Sequence, residues 1–163
     1  MGISLVSCIR FSHPTLPAPW KDIVFGYREM SGPELGEYGR LSGSHESGTE
    51  FLTFTAEPVR FLPHLIAEFE SGGGRIVRRK IARVSKLASF DVVVNSCGLG
   101  AGQLVSDELV QPMRGQVMRV RAPWLRTAIL DDKDDGNYVI PNIGSVVLGG
   151  THQHDWDTVS GAF

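Results

Sequence analysis

Cysteine is scarce: Cys8 and Cys97 are the only two in 163 residues, too few for a disulfide framework or a four-cysteine metal site. An excess of one charge is missing as well, since 16 basic against 18 acidic residues leave a formal charge of −2. That balance offers no electrostatic case for nucleic acid or an anionic membrane as partner. No apolar run nears the roughly 18 residues that cross a bilayer. Arg10 follows the apolar run of residues 3–9 instead of preceding it, the reverse of signal-peptide order. Phosphate-binding loops, Gly-x-Ser-x-Gly elbows and Cys-x-x-Cys pairs do not occur. These absences predict a soluble, intracellular globular protein.

Turns are plentiful by contrast. The chain holds 19 Gly and 9 Pro, which favours short elements in a sheet-rich or α/β architecture over a helical bundle. Residues 3–9, 22–27 and 51–55 read as strands, and the proline-rich stretch 12–20 as a loop. Ser31 with Pro33 predicts a short helix start over 31–35, followed by a loop over 39–48. The clearest helix carries Val59, Leu62, Leu65, Ile66 and Phe69 at three- and four-residue spacings, one apolar stripe. Pro63 predicts a late start or a kink in it, and the glycines at 72–74 its end. Residues 75–81 read as a strand holding Arg78, Arg79 and Lys80; alternation puts only Arg78 and Lys80 on one face, a solvated one. Residues 91–94, Asp-Val-Val-Val, read as a strand buried on both faces, with a short helix after Ala101. From Arg114 the texture changes to closely spaced short strands at 116–121, 128–130, 138–140 and 145–148, an antiparallel meander.

Few constellations stand up as chemistry by themselves. Gly98, Gly100 and Gly102 follow the 91–94 strand, where ligands of open α/β sheets gather, yet their spacing misses a dinucleotide fingerprint by one residue. Residues 131–136 look like a calcium loop until Lys133 and Asn142 fall on ligand positions, which leaves a solvated hairpin loop. His152 and His154 share one face of an extended segment, but zinc needs three or four converging ligands, so no metal is expected. Cys97 has no base near it in sequence and reads as a small buried residue.

The pieces in their order nevertheless resemble the D-amino-acid oxidase and D-aspartate oxidase family of flavoproteins. The likeness runs through residues 2–7, Ala56-Glu-Pro-Val-Arg-Phe-Leu-Pro63, Asp91-Val-Val-Val-Asn95 with Gly98-Leu-Gly-Ala101, and Arg114-Gly-Gln-Val117. It continues through Ala122-Pro-Trp124, Tyr138-Val-Ile-Pro141 and Val146-Val-Leu-Gly-Gly-Thr151. The resemblance implies an α/β fold: a partial FAD-binding, Rossmann-like domain over 55–104, and a mixed or antiparallel substrate domain built from 1–54 and 105–163. The family's opening Gly-x-Gly-x-x-Gly fingerprint and its closing carboxylate-clamping arginine are not found here. The expectation is therefore a central portion of such an oxidase, inactive and unable to hold FAD as an isolated chain.

The resemblance also implies the chemistry, oxidative deamination of a D-amino acid to a keto acid and ammonia with FAD as cofactor and oxygen reduced to hydrogen peroxide. Tyr138 matches the family's active-site tyrosine, which holds the substrate carboxylate. Ile81, Cys97 and Gly98 match positions beside the cofactor. His152 stands where acidic-substrate members carry arginine, so it is a candidate substrate contact; imidazolium attracts a carboxylate less securely than guanidinium. A D-aspartate oxidase and a non-catalytic, oxidase-derived interaction protein are the alternatives. The family implies peroxisomes, but Gly161-Ala-Phe163 is not a Ser-Lys-Leu signal, so peroxisome and cytoplasm both stay open, as does the oligomeric state.

Overall fold

The computed structural model describes residues 1–12, 18–42, 45–132 and 136–153. Residues 13–17 of the stretch 12–20 expected as a loop, residues 133–135 of the expected 131–136 loop, and His154 lie outside them. Among the described residues seven strands form one sheet in the order β2-β3-β1-β5-β6-β7-β4. They are β1 (Ile3–Ser12), β2 (Phe25–Glu29), β3 (Ser47–Ala56), β4 (Val117–Val120), β5 (Thr127–Asp131), β6 (Asn137–Asn142) and β7 (Ser145–Gly149). Every adjacent pair is antiparallel except β1 with β5, which run parallel. That parallel pairing joins the first part of the chain to the last and makes the sheet mixed, while from Arg114 on β5, β6 and β7 form the expected antiparallel meander, with β4 antiparallel beside β7. The fold class is α/β, with few helices.

The core follows from register. Cys8 pairs with Phe51 on one side and Ala128 on the other, so three buried residues form one row across three strands. Trp20, Val24 and Tyr27 pack on that row, with the Trp20 and Phe51 rings 4.8 Å apart. The Arg10 guanidinium sits 5.3 Å above Trp20 while its Nε donates to Asp132 at 2.8 Å, tying the start of the chain to the end of β5. Phe11 points to the opposite face, where helix α1 (Gly32–Ser42) covers it through Tyr38, their rings 5.4 Å apart. His45 stacks on the same Phe11 ring at 3.9 Å. Gly48 permits this close packing: a Cβ there would stand 2.8 Å from both Leu35 and Met30.

Helix α1 starts as its sequence predicts. The Ser31 backbone N–H and hydroxyl both donate to Glu34 at 2.8 Å, the reach-back half of a capping box. It runs on to Ser42, past the 31–35 expected, and β2 starts at Phe25 because residues 20–23 are used in a turn, with Ile23 N–H bonded to the Trp20 carbonyl at 2.9 Å.

The middle of the chain is different in kind. Helix α2 (Pro58–Ser71) forms where the stripe placed it and closes on glycines, Gly72 N–H bonding Glu68 O at 3.0 Å and Gly74 N–H bonding Phe69 O at 2.9 Å. Its start is not late; Pro63 lies inside it, which forgoes one intrahelical bond. Residues 75–81 and 91–94, both expected as strands, join no sheet. A strand is a paired ladder, and extended backbone without a neighbour remains only extended. Between them lies a single 3₁₀ turn (Val84–Leu87), and after them the short helix α3 (Gly100–Val105). No residue from Leu52 to Arg121 is buried. Asp91–Val94 is thus exposed, with Val92 at 78% and Val94 at 81%, and Cys97 is exposed where a buried residue was expected. Among the described residues no helix is long and apolar enough to cross a membrane.

Candidate active site

Tyr138 is the second residue of β6, directly opposite Leu130 of β5 and Gly149 of β7. It is half-buried and lines an open groove of about 600 Å³ where the ends of β4, β6 and β7 meet. Gln116, Met118, Asn137, Leu148 and Thr151 complete much of the wall, and among the described residues no charged side chain lines it. Backbone closes one end: Arg114 and Gln153 exchange N–H···O bonds of 3.0 and 2.9 Å. Beside them the Gln116 N–H donates to the Thr151 hydroxyl at 3.0 Å, which fixes that wall. His152 sits on the same closing segment but is exposed and does not line the groove. The structure therefore separates His152 from Tyr138, because neighbours in an extended segment face opposite ways.

A second hollow of about 520 Å³ lies in the middle region. Ile81 and Cys97 both line it, with Arg79, Lys80, Gln103 and Leu104. Two of the three residues matched to the cofactor are thus brought together from positions far apart in the chain. The third, Gly98, does not line it; it makes the turn into α3 with φ of +54°, the left-handed region that glycine takes without strain. The turn is pinned by the Cys97 N–H bonded to Asn95 Oδ1 at 3.3 Å and by Gly100 N–H bonded to Cys97 O at 3.0 Å. Arg79 and Lys80 are exposed, as a solvated segment requires, but not on a strand. They edge this hollow as neighbours, since the segment is not a strand and alternation does not govern it. A further signal was available in the sequence: six basic residues between Arg75 and Lys86 with no acidic one. Among the described residues no cluster of His, Cys, Asp and Glu could hold a metal ion.

A family profile described as FAD dependent oxidoreductase matches residues 27–162. The chain belongs to the FAD dependent oxidoreductase family. Among similar proteins is the D-aspartate oxidase of Homo sapiens, 38% identical over 161 residues, spanning 96% of this chain and 46% of that one. A D-amino-acid oxidase of Rubrobacter xylanophilus is 32% identical over 94% of this chain and 46% of its own length. A D-amino-acid oxidase of Dictyostelium discoideum is 34% identical over 91% and 42%. The chain spans just under half the length of these relatives.

Family membership makes FAD the cofactor. The hollow beside Ile81 and Cys97 suits part of such a group, since apolar walls accept a ring while Arg79 and Lys80 supply positive charge for phosphate. Neither cation has an ion-pair partner among the described residues.

Proposed function

We propose that this chain forms the substrate-holding part of an FAD-dependent oxidase of D-amino acids, yielding a keto acid, ammonia and hydrogen peroxide, with molecular oxygen as the second substrate. The observation that carries it is Tyr138 on the wall of a groove that no charged side chain lines among the described residues. Its hydroxyl donates to the substrate carboxylate and so sets which face of Cα is presented. FAD, when bound, supplies the hydride acceptor that is later reoxidised by oxygen. Gln116 and Thr151 give the groove polar walls for the amino acid, while Met118 and Leu148 exclude water from its side chain. Ile81, Cys97 and the flanking cations hold part of the cofactor. The absence of charge among the described residues of the groove favours a neutral D-amino acid. The likeness to a D-aspartate oxidase favours an acidic one as the second reading.

The test is peroxide release by the longest reading frame that contains this chain, with FAD added, from D-alanine and D-aspartate. Turnover of D-alanine is expected to exceed that of D-aspartate; the reverse order establishes the second reading. No peroxide from either, or from any other D-amino acid, leaves a non-catalytic protein and overturns the proposal. Tyr138→Phe should raise KM at least tenfold, since a hydrogen bond to a charged acceptor contributes about 1.5–3 kcal/mol. Unchanged KM removes Tyr138 from the site. Residues 1–163 alone, whose middle region buries nothing, should purify colourless with added FAD; a yellow, monodisperse preparation contradicts this.

A further inference from the structure

We propose that Gly149 and Gly150 are positioning residues: together they form the seat that sets the height and direction of the Tyr138 hydroxyl. The inference rests on reading Tyr138 as a ligand of the substrate carboxylate. Gly149 is the ladder partner of Tyr138, and a residue in that place ordinarily stands a side chain beside its partner, with Cβ atoms about 4.5–5.5 Å apart. Here the ring lies over the glycine instead. A Cβ added to Gly149 would stand 2.7 Å from Cζ, 2.8 Å from the hydroxyl oxygen and 2.9 Å from Cε2 of Tyr138. One added to Gly150 would stand 2.9 Å from Cε1, 3.0 Å from the hydroxyl oxygen and 3.2 Å from Cζ. The two glycines approach the ring from opposite edges, for one meets Cε2 and the other Cε1, and both meet the hydroxyl.

Neither glycine has a positive φ, so it is the ring, and not a left-handed φ, that excludes a side chain at these positions. The wall next to them is fixed independently, because Thr151 is tied to the Gln116 N–H. The ring therefore has a rigid floor that a single methyl would raise. A rise of a few tenths of an ångström at the hydroxyl matters, because donor–acceptor distances for a good O–H···O bond cover only about 2.5–3.0 Å. The seat thus acts on binding through Tyr138 and touches neither substrate nor cofactor itself.

The test uses the full reading frame labelled with 3-fluorotyrosine. Tyr138→Phe identifies the Tyr138 fluorine resonance by removing it. Gly149→Ala and Gly150→Ala should each shift that resonance and leave the other tyrosines in place. Each should also raise KM about tenfold in the Tyr138 protein, by losing most of the tyrosine's hydrogen bond, yet change it less than about twofold in the Tyr138→Phe background, where no hydroxyl remains to be misplaced. A resonance unmoved by either substitution overturns the seat. A moved resonance with unchanged KM overturns the positioning role. Equal KM effects in both backgrounds also overturn it, because they mark a general structural cost. Absence of peroxide from the unsubstituted protein instead overturns the proposed function. If Gly149→Ala does not fold, the double variant Tyr138→Leu/Gly149→Ala should, since no ring then meets the methyl; if it also fails, the cost lies in the backbone and the seat is overturned.

Discussion

Residues 3–56 with 117–149, and residues 57–116, carry apolar side chains with equal regularity but meet opposite fates. In the sheet, the row across β1, β3 and β5 ends in burial: Cys8 is 1% exposed, Ala128 3% and Phe51 7%. In α2 the helical stripe is as regular, yet Leu65 and Ile66 stay 45% exposed and Val59 76%. Periodicity selects the local conformation, because an amphipathic helix and an alternating strand each need only their own residues to be recognisable. Burial needs a second surface at the right distance, and only the sheet region supplies one. The middle region therefore contributes a shape, a hollow and exposed apolar area, but no core.

The contrast is sharpest in its two thiols. Burial pushes the Cys8 thiol up to about 11, against a smaller lowering by Arg10, whereas Cys97 is exposed. At pH 8 only about one Cys8 in a thousand is ionised. Iodoacetamide should therefore label Cys97 faster by about a hundredfold or more, read by mass spectrometry. Comparable rates would mean that the Cys8–Phe51–Ala128 row opens readily.

Truncation in each region gives the next largest difference. Phe51→Ala should cost about 3–5 kcal/mol in urea denaturation, the range for a large aromatic removed from a core. Leu65→Ala, on the exposed face of α2, should cost under about 0.5 kcal/mol. Equal losses would show that α2 is buried in solution and erase the distinction.

The smallest effect concerns the edge of the sheet. A hydrogen bond from Arg28, then the Ser31 backbone N–H and hydroxyl, hold the Glu34 carboxyl down to about 2 from its ordinary 4.5. A carboxylate with a lowered folded-state value stabilises fully above about pH 4.5 and loses that contribution as pH falls through about 2. The group is exposed, so the change is small. Melting temperature between pH 5 and pH 2 should fall less for Glu34→Gln than for the unsubstituted protein; a steeper fall would show that Glu34 does not cap α1.

Much of this was legible in residue order. The capping serine at Ser31, the apolar stripe from Val59 to Phe69 and the glycines that end it all act within a few residues, where sequence spacing is spatial spacing. The two expected strands at 75–81 and 91–94 were not settled that way, because a ladder depends on a neighbour that local pattern does not reveal. The Tyr-x-Ile-Pro setting marked Tyr138 in the sequence, and the fold puts it on a groove wall. The departure of His152 from the groove was not readable there, since it depends on how the segment after β7 pairs with Arg114. Arg79 and Lys80 stay exposed, but their shared place on the hollow was not legible, because alternation does not govern a segment that forms no strand.

By itself the sequence determined the helices, most strand positions and the family, because each rests on short-range chemistry or on motifs in order. Tertiary structure alone decided that β1 and β5 pair in parallel, that Ile81 and Cys97 share a hollow, and that Tyr138 rests on two glycines. Those are contacts between residues distant in the chain, and their free energy depends on which surfaces meet. Composition and spacing carry no record of that meeting.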